Sequence, residues 1–86
     1  MKLITLQEQN QFEKEFKKKI TVDYLNIDFQ FTRFDTRVNI EIEETLDYDL
    51  VFQGKNIYLE IINSGPDGGV TSEGYTSIDD IKELYI

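Results

Sequence analysis

The chain is predicted to fold as an α+β domain, a two-layer sandwich. A four-stranded antiparallel meander would carry an N-terminal and a C-terminal helix on one face, in the order α-β-β-β-β-α. Three observations predict this. Apolar residues recur at helical spacing near both ends, at Phe12, Phe16 and Ile20 and again at Ile78, Ile81, Leu84 and Tyr85. Between Leu25 and Ile62 the rhythm changes to alternation of apolar and polar residues. The breaks in that alternation are short, which suits antiparallel strands with one face wet.

The elements follow in order. Thr5-Leu6-Gln7-Glu8 matches a capping box, in which the Thr hydroxyl and the Glu carboxylate satisfy free amides of a first helical turn. Phe12, Phe16 and Ile20 then form one buried face. Lys17, Lys18 and Lys19 fall in the last turn, where cations complement the helix dipole. Beyond Ile20 the period becomes two, with a slip at Tyr24-Leu25 that suggests a bulge or bend. Leu25, Ile27, Phe29 and Phe31 are expected to face inward, with Asn26, Asp28, Gln30 and Thr32 outward.

Phe34-Asp35-Thr36 reads as a hairpin connection, and Val38, Ile40 and Ile42 resume the inward face opposite Asn39, Glu41 and Glu43. Glu44 to Asp47 reads as the next turn and Tyr48 to Phe52 as a third strand. Gln53-Gly54-Lys55-Asn56 is a tight turn, with Gly available for positive φ. Ile57, Leu59 and Ile61 point inward from a fourth strand. Asn63 to Thr76, with four of the five glycines and the sole proline, reads as a loop. Ser77 caps a second helix with Asp79 and Asp80 in its first turn.

Length and composition bound what such a domain does. Eighty-six residues, 40% of them hydrophobic, make a single domain over 1–86 with one modest core. With neither cysteine nor histidine in the sequence, disulfides, thiolate or imidazole metal ligands and the usual general base are excluded. No apolar run approaches the roughly 20 residues of a membrane span, and the N-terminal stretch lacks a signal cleavage site. A cytoplasmic protein is expected. The absence of alanine, with abundant Ile, Lys and Asn, suits an AT-rich genome or a phage of such a host.

Charge is the most informative feature. The net charge is −8, yet residues 1–19 hold five Lys against three Glu, and residues 20–86 hold fourteen acids against four bases. Between Glu41 and Asp49 stand five carboxylates and no cation. Alternate residues on a strand lie roughly 7 Å apart and neighbouring strands about 4.8 Å apart. Asp28, Glu41, Glu43 and Glu60 would thus form a grid of negative charge, extended by Glu44, Asp47 and Asp49. An acidic surface also serves simple solubility. As a binding surface it repels nucleic acid and anionic membrane, and attracts a basic protein. Tyr24, Tyr48, Tyr58 and Tyr75 are candidates to share that face, because tyrosines are favoured in interfaces.

Other chemistries fit less well. The loop after Asn63 echoes a calcium loop with Asp67 fifth and Gly68 sixth, but Gly74 stands where a bidentate acid is needed. No Walker or dinucleotide spacing is present, so no metal and no cofactor is expected. No nucleophile–base motif exists, so no enzyme activity is expected either. The expected function is partner binding through Asp28, Glu41, Glu43, Glu44, Asp47, Tyr48, Asp49, Tyr58, Glu60 and Tyr75. The expected partner is a basic nuclease or other DNA-binding enzyme whose groove is occupied by charge mimicry, as in phage inhibitors of CRISPR or restriction systems. The alternatives are an immunity or antitoxin protein against a basic toxin, and a homodimer or larger accessory assembly joined through a strand edge, Tyr48 to Phe52 or Ile57 to Ile62.

Overall fold

The computed structural model of the chain describes residues 4–65 and 68–84, with no side-chain description for residues 70–73 and 82–84. Helix α1 (Leu6–Lys19) leads to five strands, β1 (Asn26–Phe31), β2 (Thr36–Glu43), β3 (Leu46–Gln53), β4 (Asn56–Asn63) and β5 (Gly69–Thr76), and helix α2 (Ile78–Leu84) follows. All five strands pair antiparallel with their sequence neighbours in one sheet, ordered β1-β2-β3-β4-β5. The α+β class and the meander are as expected, but the four-strand layout is corrected to five.

Local chemistry explains most boundaries. The Thr5 hydroxyl accepts from the Glu8 amide at 3.2 Å and the Glu8 carboxylate accepts from the Thr5 amide at 3.2 Å, closing the capping box. In the β1–β2 connection the Thr32 hydroxyl accepts from the amides of Phe34 and Asp35 and donates to the Asp35 carboxylate at 2.8 Å. Gly54 turns β3 into β4 with φ 62 at the first central position, the backbone a two-residue primed turn needs. At α2 the Ser77 hydroxyl accepts from the Asp80 amide and the Asp80 carboxylate accepts from the Ser77 amide, both at 3.3 Å. This is a second reciprocal cap.

Three sequence expectations are revised. The turn predicted over Glu44 to Asp47 is only Glu44–Thr45, because Leu46 and Asp47 already belong to β3. A bulge between Glu41 and Glu43 absorbs the mismatch beside that turn. Leu25, expected inward, is 64% exposed; its amide donates to the Glu41 carbonyl at 2.7 Å just before β1 begins. Finally, most of the expected Asn63–Thr76 loop is β5, bulged against Leu59 and Glu60 with Gly74 at φ 81. Pro66, Asp67 and Tyr85 lie outside the described residues.

The core sits under the even-numbered side of β2 and β3 and the odd-numbered side of β1 and β4. Val38, Ile40, Ile42, Leu50 and Leu59 are buried there together with Phe16, Ile20 and Ile81 from the helical segments and their flanks. Five of the six phenylalanines pack in one cluster: the Phe12 ring meets Phe29, Phe31 and Phe52 edge-on, and Phe16 meets Phe29 and Phe52 in the same way. Centroid separations of 5.2 to 6.2 Å across these contacts fall in the favourable range for T-shaped pairs. Because Phe16 and Ile81 enter the same cluster, both helices cover one side of the sheet. The other side has no layer over it among the described residues.

Candidate functional site

The uncovered face can be laid out from the strand register. One cross-strand row reads Asn26, Glu41, Asp47, Ile62; the next Asp28, Asn39, Asp49, Glu60; the third Gln30, Arg37, Val51, Tyr58, Tyr75. Five acids predicted for the site, Asp28, Glu41, Asp47, Asp49 and Glu60, are therefore brought together on two adjacent rows. Glu41 lies directly opposite Asp47, and Asp49 directly opposite Glu60. Like charges in such positions repel, so folding alone disfavours this arrangement.

Counterions do not relieve it. Among the described residues Arg37 is the one cation on these rows, and its guanidinium Nε pairs at 3.5 Å with Asp35, which stands in the loop before β2. None of the five face acids has an ion-pair partner among the described residues. Asp49 instead accepts a 2.6 Å hydrogen bond from the Asn39 amide group, which orients one carboxylate oxygen. Asp28 accepts a longer one, 3.4 Å, from Asn26. The face thus offers acceptors and negative charge to an incoming donor or cation.

The remaining predicted residues divide. Tyr58 and Tyr75 are register partners on the third row, with rings 6.0 Å apart at 82°, and Tyr75 is 66% exposed. Glu43 and Glu44 are exposed but sit at the β2–β3 hairpin end; past the bulge Glu43 stands opposite Leu46 instead of continuing the acid rows. Tyr48 is a correction. It is 5% exposed and lies in the core between Ile40 and Ile61, because it shares its parity with Leu46, Leu50 and Phe52. That parity was visible in the sequence and identifies Tyr48 as a core residue.

Sequence reasoning placed Asn39 on the outward face without assigning it a role, and missed Arg37 and Val51 as face residues. The signal was their alternation with Val38 and Leu50, which places them beside Glu41 and Asp49. The proposed dimerisation edges are also corrected: β3 and β4 are paired on both sides, so neither Tyr48 to Phe52 nor Ile57 to Ile62 offers a free ladder. The outer strands are β1 and β5.

Two shallow concavities indent this face. One, of about 400 Å³, is lined by Asp49, Glu60, Tyr58, Tyr75, Val51, Gln53 and Arg37. The other, of about 450 Å³, lies on the far side of Arg37 and includes Asp28, Gln30, Asn39 and Asp49. No group of three or more acids among the described residues converges as a metal-ligand set. No helix among them is long and apolar enough to cross a membrane. No protein-family model matches this chain, and neither does any curated protein or any solved structure.

Proposed function

We propose that this chain is a protein-binding domain whose open sheet face captures a basic protein surface. The specific form of the proposal is an inhibitor that occupies the nucleic-acid groove of a nuclease or other DNA-binding enzyme, as a phage counter-defence protein does against CRISPR or restriction systems. It acts in the cytoplasm, by steric block and without chemistry of its own. The observation that carries this reading is the pair of acid rows: Asp28, Glu41, Asp47, Asp49 and Glu60 side by side on an uncovered face with no cationic partner among the described residues.

The physical reasoning is direct. Spacing of about 4.8 Å between strands within a row and of about 7 Å between adjacent rows puts negative charges at intervals of the same order as backbone phosphates. Lys and Arg residues arranged to neutralise phosphates meet the same charge here. Repulsion within the free protein is relieved on binding, which favours the complex, and the charge steers encounter.

Capture by the immobilised chain from the extract of a native host, at low and at high salt, tests the proposal. The expected partner is a basic nucleic-acid-binding protein, lost at high salt and displaced by duplex DNA. Capture that persists in the triple variant Glu41→Lys, Asp49→Lys, Glu60→Lys would remove the basis for charge mimicry.

A further inference from the structure

The acids are spread over two rows, but at one place they border aromatic rings in a concavity. There Asp49 and Glu60 face each other across β3 and β4, Val51 and Tyr58 form the next cross-strand pair, and Tyr75 closes the side on β5. We infer that this concavity is a socket for an arginine side chain of the partner, held by Asp49 and Glu60 and lying against the Tyr58–Tyr75 pair. The inference rests on the acidic-face reading and adds to it the chemical group recognised.

Arginine fits each part of the lining. Its planar guanidinium presents donors in a fork, stacks on aromatic faces and is more weakly hydrated than an ammonium. Opposed residues on antiparallel strands carry Cβ atoms about 5 Å apart, so one fork spans the Asp49 and Glu60 carboxylates. The Asn39 amide fixes one oxygen of Asp49 at 2.6 Å and leaves the other to accept from a ligand. The tyrosine pair meets edge to face, centroids 6.0 Å apart, and lines the concavity with aromatic surface, Tyr75 being 66% exposed. Arg37, the cation already in the lining, is paired with Asp35 at 3.5 Å and has no ion pair with Asp49 or Glu60. Lysine would gain the charge but forgo the fork and the stacking.

Fluorescence anisotropy with labelled oligoarginine and oligolysine peptides of equal length tests this. The wild-type chain should bind the arginine peptide about five-fold more tightly, because the guanidinium adds the fork and the planar stacking that an ammonium lacks. The double variant Tyr58→Ala, Tyr75→Ala should lose that preference while still binding both peptides. Tyr58→Phe with Tyr75→Phe, which keeps the rings and guards against misfolding of the alanine variant, should retain it. Glu41→Gln should weaken both peptides equally. Equal wild-type affinity for the two peptides, or a preference that survives the alanine variant, overturns the socket and leaves the acidic-face reading standing. Binding of neither peptide overturns both.

Discussion

The two faces of the sheet obey different rules. On the covered face the side chains meet partners made by the chain itself: Phe12 and Phe16 reach Phe29 and Phe52, and Ile81 seals the layer. On the open face the three inner strands, β2, β3 and β4, present acids opposite acids, with Arg37 turned to Asp35. The first face minimises its own free energy and accounts for why the chain folds. The second does not, since neutral polar residues would satisfy the sheet equally well without repulsion. A surface whose composition folding does not explain is the natural place to look for a partner.

That contrast can be broken at its strong side first. Phe16→Ala removes a ring that is 3% exposed and touches both sheet and helix partners, and should cost about 3–5 kcal/mol in urea unfolding. A loss below about 1 kcal/mol would mean that α1 contributes little to the core. Next, Asp49→Lys with Glu60→Lys should leave the melting temperature within a few degrees of wild type. Affinity for a basic partner should nevertheless fall by about two orders of magnitude at low salt, the scale of losing desolvated charge contacts. Equal losses of stability and affinity would show that the open face is structural after all.

Smaller effects sharpen the comparison. Thr5→Ala removes the hydroxyl half of the capping box, leaving the backbone amide of residue 5 to donate to Glu8, and should destabilise by about 1 kcal/mol, with no effect on partner binding. Glu60→Gln should act in the opposite sense, raising stability by about 0.5 kcal/mol at low salt through relief of the repulsion from Asp49, and by less as salt is added. Calorimetry across a salt series separates the two. If Glu60→Gln destabilises the chain at every ionic strength, the charge on this face is not a burden to folding.

Much of this was legible residue by residue. Thr5 and Glu8 announced the start of α1, Ser77 that of α2, and Gly54 the β3–β4 turn, since each depends on chemistry within a few positions. The inward sets of β1, β2 and β4 followed from alternation. Tyr48 was misplaced although its neighbours Leu50 and Phe52 marked its side, a case of chemical type outweighing period. Strand β5 was hidden for a different reason: a Gly-rich segment has weak local preference, and it becomes a strand because the outer edge of β4 supplies hydrogen-bond partners.

From its residues alone this chain settles which side chains stand above the sheet and which below, because alternation is a property of a single extended strand and needs no neighbour. Only the assembled sheet decides what each side chain stands beside. Register and strand order are made by hydrogen bonds between separate segments of the chain, and they are what set Asp49 against Glu60 and close the acid rows with a pair of tyrosines.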